Sequence, residues 1–254
     1  MSCAGRHPTP ILKLRLLLFL SFVVFSLSFQ VSAGGVRVLK VKIAAALEFK
    51  ASGMWKVEMC KMIRDISGRL RSRFGIAFKA TEVDFWQPEA GSKPLVDHLR
   101  DLIKKVPRGD CHLVIGIIPS SISEMPPFGA ADYLQAYVLL RDNPIKSGLT
   151  DVLEHELCHI FGAVDLEENG SIMDITRRGG RYDAFTMAIM TMNRNRSFTV
   201  GQFPLPSDLI DKVVALYRKR LGREGEATDA RKLEEMELQT VLRHLEKERS
   251  GRSI

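Results

Sequence analysis

Two histidines, a glutamate and an aspartate fall within the eleven residues from His155 to Asp165. His155 and His159 are four residues apart, so on a helix both imidazoles project from one face, where their ring nitrogens can reach one metal ion at about 2.0–2.1 Å. Glu156 lies beside such an ion without being needed as a ligand, where it can take a proton from water. These residue types at this spacing predict a catalytic zinc site with Glu156 as general base.

Gly162 explains how Asp165 joins the two histidines. A helix that simply continued would carry Asp165 more than about a turn and a half beyond His159, away from the metal. Glycine ends helices in a left-handed conformation at low steric cost, and three further residues suffice to bring a side chain back over the ion. We therefore predict that His155, His159 and Asp165 bind one zinc ion and leave a fourth position open for water. Other acids are alternative third ligands, namely Glu167, Glu168 and Asp174, and the simplest alternative to a site is a helix with two solvated histidines.

The order His-Glu-x-x-His-x-x-Gly-x-x-Asp resembles the signature of the metzincin zinc peptidases, in the variant with Asp as third ligand that occurs in the snapalysin group. Ser171 to Asp174 is similar to the Met-turn, which in that clan places a methionine, here Met173, under the zinc. The resemblance covers residues 36 to 200 in general layout and not the C-terminal tail. It implies a zinc metalloendopeptidase. The alternatives are a catalytically idle binding or inhibitory module of the same fold and a zinc amidohydrolase acting on non-peptide amides.

Strand and helix patterns alternate before the zinc-site helix. The patterns predict strands at 36–43, 76–85, 111–118 and 133–140, and helices at 53–73, 95–106, 182–192, 208–221 and 227–248. Thr150 or Asp151 is the expected cap of the zinc-site helix, which should end near Phe161. This order predicts an α/β fold. The resemblance implies a twisted mixed sheet with crossover helices, a zinc helix at the base of a cleft and a small lower subdomain. The last two helical patterns predict an α-helical C-terminal extension.

The N-terminal segment has the pattern of a secretory signal. Residues 1–33 carry three basic residues, no acid, an apolar run and a small-x-Ala end at Ala33. We expect a signal peptide at 1–33, a catalytic domain at 34–202 and a helical extension at 203–254. The protein should then be secreted or extracytoplasmic, and it should meet a membrane only if residues 11–29 stay as an uncleaved anchor.

The expected partner is a peptide or protein substrate. Removing residues 1–33 lowers the formal net charge from +7 to +4, and no basic block with interleaved aromatic residues suggests nucleic-acid binding. Residues 119–133 are rich in Pro, Gly and Ser, which is typical of a surface loop. In metzincins the following strand borders the cleft, so the resemblance places an antiparallel substrate along an edge strand at Ala136–Leu140.

Several side chains allow two interpretations. Three cysteines remain after the signal segment, so at most one disulfide can form, although buried thiols are favoured for Cys60, Cys111 and Cys158. Tyr182 either packs in the core or stabilises an oxyanion. In the C-terminal extension a partial apolar stripe should dock on the domain or on a partner, and it consists of Leu233, Met236, Val241, Leu242 and Leu245.

Overall fold

A computed structural model describes residues 35–123, 127–132, 135–142, 148–174, 179–198, 207–222 and 228–251. The predicted signal segment, residues 1–33, lies outside the described residues, as do residues 133–134 of one predicted strand and residue 227 of one predicted helix. None of the helices in the described part of the chain combines the length and apolar character needed to cross a membrane.

Five strands form one mixed sheet, in the order β2-β1-β3-β5-β4. Its strands are β1 (Arg37–Ala46), β2 (Ile76–Trp86), β3 (Leu113–Ile118), β4 (Gly129–Asp132) and β5 (Tyr137–Arg141). The pairings β1–β2, β1–β3 and β3–β5 are parallel, whereas β4 runs antiparallel to β5. The described helices are α1 (Met54–Phe74), α2 (Leu95–Lys105), α3 (Leu149–Ile160), α4 (Ala184–Asn193), α5 (Ser207–Leu221) and α6 (Asp229–Gly251). The predicted α/β class with a mixed sheet and connecting helices is confirmed.

Helices cover both faces of the sheet. One core cluster joins alternate residues of β1 and β3 to α1, α3 and the later helices, and the other joins the intervening residues to α2. Strands buried on both faces read as continuous apolar runs, which explains the sequence of β3. Gly116 in β3 lets α2 approach closely, because a Cβ there would lie 2.5 Å from Leu102 Cδ2.

Two expectations about the strands near the cleft are wrong. The predicted loop at 119–133 contains β4 at its end. Ala136–Leu140 is not an edge strand, because β5 is paired with β3 on one side and with β4 on the other, and Ala136 precedes it with a φ of 60°. The chain makes a short reversal that adds β4 outside β5, so β4 forms this edge of the sheet.

The zinc-site helix, α3, starts differently from the prediction. Its N-cap is Gly148, with a φ of 93° and no side-chain hydrogen bond, and neither Thr150 nor Asp151 caps it. A left-handed glycine redirects the chain into the helix without a capping hydroxyl or carboxylate. By contrast, α4 has a side-chain cap, since Asp183 accepts a hydrogen bond from the Thr186 amide.

Helices α5 and α6 belong to the main core. Ile210, Val213 and Tyr217 of α5 and Leu238 and Leu245 of α6 are buried in the same cluster as the residues of α3 and α4. The predicted docking of the C-terminal stripe on the domain holds for its second half, since Val241, Leu242 and Leu245 are buried. Its first two members, Leu233 and Met236, are exposed.

Candidate metal centre

The C-terminal end of α3 is buried and its carbonyl groups are bonded by side chains from later elements. Arg196 donates to the Ile160 carbonyl, Asn193 Nδ2 donates to the Phe161 carbonyl at 2.7 Å, and Tyr217 donates its hydroxyl to the Gly162 carbonyl. The last carbonyls of a helix have no intrahelical partner, so a buried helix end needs such donors. These contacts fix the point at which the chain leaves the helix.

Gly162 reverses the chain as predicted. Its φ is 92°, and the amides of Gly162 and Ala163 bond back to the carbonyls of His159 and Cys158 at 2.8 Å and 3.1 Å. This left-handed glycine termination turns the following residues back along the helix. Asp165 consequently lies beside the two histidines and not beyond them.

Three donor atoms from His155, His159 and Asp165 converge. The two Nε2 atoms are 3.1 Å apart, and Asp165 Oδ1 lies 3.2 Å from His155 Nε2 and 3.6 Å from His159 Nε2. A tetrahedral zinc ion with ligand bonds of about 2.1 Å separates its ligand atoms by about 3.3 to 3.4 Å. The three distances therefore match the edges of a tetrahedral site.

Hydrogen bonds to backbone carbonyls decide which ring nitrogens carry protons. His155 Nδ1 lies 2.8 Å from the Ile172 carbonyl and His159 Nδ1 lies 2.8 Å from the Ala163 carbonyl. A carbonyl only accepts, so both Nδ1 atoms must donate, and in the neutral rings both Nε2 atoms then present lone pairs. Two lone pairs and a carboxylate oxygen facing one point form a donor set that fits a divalent cation, with the outer nitrogens held as in known zinc sites.

Nearby carboxylates influence the pKa of the His159 imidazole. Burial lowers the pKa of His159, but the carboxylates of Asp165 and Glu156 more than offset this effect and raise the pKa above its usual value. The same carboxylates that would attract a proton would attract a metal cation.

Glu156 lies between the histidines and strand β4. Its Oε1 is 4.0 Å from His155 Nε2, farther than Asp165 Oδ1, and its side chain is buried. A Cβ on Gly129 would lie 2.6 Å from Glu156 Oε1 and 2.7 Å from Glu156 Cγ. Glycine at this position of β4 therefore provides the space that the glutamate side chain occupies.

The turn from Ser171 to Asp174 contacts the first histidine and the loop after Asp165. The Ile172 carbonyl binds His155, Met173 is buried, and the Met173 carbonyl accepts a hydrogen bond of 2.8 Å from the Leu166 amide. The turn is thus bonded both to the first histidine and to the segment that follows Asp165.

Helix α6 holds the loop that carries Asp165. Glu237 Oε2 accepts from the Asp165 amide at 2.8 Å, and Glu234 Oε2 accepts from the Glu167 amide at 3.0 Å. Burial raises the pKa of Glu237; the charge of His159 opposes this rise and that of Asp165 adds to it. Glu234 is fully buried and pairs with Arg220, with Nε to Oε1 at 2.6 Å.

The alternative third ligands Glu167 and Glu168 point to other partners. Glu167 Oε1 accepts from the Thr228 hydroxyl at 2.8 Å, and Glu168 Oε2 pairs with Arg220 at 3.0 Å. Asp165, by contrast, has a carboxylate oxygen within 3.6 Å of both Nε2 atoms.

A cavity of about 430 Å³ opens over these groups. His155, Glu156, His159 and Asp165 line one part, Gly129 and Ala130 of β4 a second, and α6 a third. The α6 contribution includes Glu237 and the two exposed stripe residues Leu233 and Met236.

Sequence reasoning missed the roles of Gly129 and Glu237. A glycine in a short strand signals close backbone approach, whereas nothing local marks Glu237.

Tyr182 and the cysteines lie outside this cluster. The Tyr182 hydroxyl donates to Glu154, which also pairs with Arg69, and its ring packs edge to face on Phe74. Burial raises the pKa of Tyr182, with Cys158 and Glu154 adding to the effect. The packing role of Tyr182 is therefore supported.

Cys60, Cys111 and Cys158 are free thiols, of which the last two are buried.

No protein-family model matches this sequence, and a search of curated proteins found no match. Among solved structures, archaemetzincin from Methanopyrus kandleri matches with 16% identity and a TM-score of 0.46, over 65% of this chain and 99% of that one. A zinc-dependent peptidase from Methanocorpusculum labreanum matches with 14% identity and a TM-score of 0.42, over 59% and 99%. Metalloproteinase-II from Bacteroides fragilis matches with 11% identity and a TM-score of 0.45, over 64% and 55%.

The chain spans 55% of the Bacteroides protein and 35% of a further matching chain from a chaperone–substrate complex.

Proposed function

We propose that this protein is a zinc-dependent endopeptidase of metzincin type, with His155, His159 and Asp165 as metal ligands and Glu156 as general base. The observation that carries the proposal is the convergence of two lone-pair Nε2 atoms and one carboxylate oxygen, 3.1 to 3.6 Å apart, on the floor of a cavity. The exit through Gly162 and the turn at Met173 agree with the sequence resemblance.

The chemistry divides between the metal and the side chains. Zinc, when bound, lowers the pKa of a water molecule and polarises a carbonyl group. Glu156 would accept the proton of the attacking water and pass it to the leaving amine, since its carboxylate lies beside the ligand cluster at the cavity floor. The Ile172 and Ala163 carbonyls would keep both imidazoles in the tautomer that a ligand needs.

Strand β4 replaces Ala136–Leu140 as the proposed substrate edge. In the described residues β4 pairs with β5 on one side and with no strand on the other, and Gly129 and Ala130 line the cavity. An extended peptide paired with this free side would place its backbone next to Glu156.

Secretion and a signal peptide at 1–33 remain part of the proposal, supported by the sequence pattern alone. The catalytic region is proposed as 34–202 with the helices of 203–254 added to it.

Metal content and hydrolysis measured on the same samples test the proposed function. The purified chain should contain one zinc ion and cut casein or a peptide library, and a chelator should abolish cleavage. Glu156→Gln should keep the metal and lose about 10² to 10⁴ in rate, because general base catalysis is typically of that size. Asp165→Ala should bind zinc at least about tenfold more weakly, since changes even outside the ligand set cost about 10- to 100-fold.

Glu246→Gln is the matched control, since Glu246 lies on α6 in a partly exposed pair with Arg218 and is not part of the cavity lining. Stoichiometric zinc at unchanged affinity in Asp165→Ala would remove Asp165 from the ligand set. A Glu156→Gln variant that holds zinc and cuts at more than about a tenth of the parent rate would exclude Glu156 as the base. A zinc-loaded parent that cuts no peptide would favour a binding module.

A further inference from the structure

Helix α6 presents two different faces. Leu238, Leu242 and Leu245 are buried in the core. Leu233, Met236, Glu237 and Thr240 line the cavity instead. The intervals of three, four and seven residues place these four side chains on one stripe of the helix. The cavity wall is thus a regular surface of α6.

Two apolar side chains of that stripe remain in water. Leu233 is 39% exposed and Met236 is 64% exposed, and both line the cavity that also contains the two histidines. Residues three apart on a helix are neighbours, so the pair forms one apolar patch. Val241 extends the patch at the cavity wall. Methionine fits irregular shapes because its chain is unbranched and polarisable, which suits contact with more than one kind of apolar group.

The charges around the cavity are unfavourable for an acidic ligand. Glu156, Asp165 and Glu237 line it, and the described lining includes no lysine or arginine. A divalent cation on the histidines would offset two of these charges, and no basic side chain of the described lining would pair with an added carboxylate. An unpaired carboxylate at the α6 wall is therefore unfavourable, whereas the apolar patch favours an aliphatic or aromatic group.

Strand β4 lies where an extended peptide could bring an apolar side chain to the α6 wall of the cavity. Gly129 and Ala130 line the same cavity as Leu233 and Met236, with Glu156 at the floor. Side chains of an extended peptide alternate between its two faces, so a peptide paired with β4 directs every second side chain into the cavity.

We propose that the α6 patch of Leu233, Met236 and Val241 is the subsite for one apolar side chain of a peptide substrate, next to the bond that is cut. This inference rests on the proposed peptidase function. It assigns the C-terminal extension a direct role in choosing the substrate.

The subsite is tested by comparing how the parent and variants with a lysine on α6 cleave apolar and acidic peptides. The probes are fluorogenic peptides with Leu, Met, Phe or Glu at each position around the cut bond, assayed with the zinc-loaded full chain. The parent should prefer an apolar residue over Glu by at least about tenfold in kcat/KM at one position, a size typical of apolar pockets. Met236→Lys, and separately Leu233→Lys, should lower this ratio at the same position by about tenfold or more.

Val57→Lys is the matched control, because Val57 is 65% exposed on α1 and lies outside the cavity lining. It should change the ratio by less than about twofold. Unchanged ratios in both α6 variants, with normal thermal unfolding, overturn the subsite.

The zinc-loaded parent could cut none of the peptides. In that case, the affinities of the same peptides for the zinc-loaded chain, measured by fluorescence anisotropy, test the subsite independently of cleavage. A preference for apolar peptides that Met236→Lys removes supports the subsite while the peptidase proposal fails. Equal binding of apolar and acidic peptides overturns it.

Discussion

Two backbone carbonyls determine what the imidazoles can do. The Ile172 and Ala163 carbonyls hold the Nδ1 protons of His155 and His159, and the Nε2 lone pairs then meet beside Asp165. One of these carbonyls comes from the turn at Met173 and the other from the loop after Gly162. The ligand geometry therefore depends on where the backbone places these two carbonyl groups.

Glu156 depends in the same way on the absence of a side chain at Gly129. Gly129→Ala should displace the carboxylate or β4, because the new Cβ would lie 2.6 Å from Glu156 Oε1 and 2.7 Å from Val152 Cγ1. We expect peptide hydrolysis to fall by at least about tenfold while zinc stays bound, since the base moves and the ligands do not. Zinc content and kcat together measure this.

Gly68→Ala provides the comparison for Gly129→Ala. Gly68 lies in α1, and a Cβ there meets nothing within 4 Å. It should leave the rate unchanged and raise the free energy of unfolding by about 0.5 to 1 kcal/mol, the usual gain for alanine over glycine in a helix. Full activity in Gly129→Ala would show that the cavity tolerates a methyl group beside the base.

At the scale of elements, α3 and α6 together hold the proposed metal site. Helix α3 supplies the histidines, and α6 supplies the acceptors for the loop amides of Asp165 and Glu167. The buried pair of Glu234 with Arg220 connects α6 to α5. Removing one partner of such a buried pair is strongly destabilising, at about 3 to 5 kcal/mol, so Glu234 is tied to the fold as well as to the loop.

Glu237 allows the loop contact to be tested with less effect on folding. Glu237→Met removes the acceptor for the Asp165 amide and should weaken zinc binding by about 10- to 100-fold, the range seen for residues that orient ligands. Glu237→Gln keeps an acceptor oxygen and should weaken binding less. Chelator competition gives the affinities, with Glu246→Gln as the control on the same helix. Equal affinity in all three variants would contradict a positioning role for Glu237.

For the whole molecule, α5 and α6 complete the core as well as the site. Ile210, Val213 and Tyr217 are buried among residues of α3 and α4, and Tyr217 closes the end of α3. Burial of an apolar side chain stabilises by about 1.5 to 3 kcal/mol. The apolar residues buried on these two helices therefore contribute on the order of 10 kcal/mol, comparable to the total stability of about 5–15 kcal/mol expected for a domain.

A chain that ends at residue 202 should therefore lose cooperative unfolding and bind zinc weakly or not at all. Urea unfolding and zinc titration measure both effects, and a chain ending at 251 is the control. A cooperative unfolding transition and parent-like zinc affinity in the shorter chain would show that residues 34–202 are a self-sufficient domain.

The sequence alone was enough to predict the features that depend on neighbours within one or two turns. His155 and His159 share a face because helix geometry repeats every few residues, and Gly162 reverses the chain because it can adopt a φ of 92°. The apolar run of β3 and the periodic pattern of α1 likewise follow from local spacing, so both elements lie where expected.

Only the tertiary structure decided which distant residues meet the histidines. Strand β4, and not the predicted β5, forms the edge of the sheet because β5 pairs with a strand on each side. Such pairing is not encoded in the local periodicity of the sequence. Gly129 against Glu156 and Glu237 against the Asp165 amide join residues 27 and 72 positions apart in the chain. Such contacts arise because the core brings β4 and α6 against α3, and packing across the fold is specified jointly by all the surfaces involved.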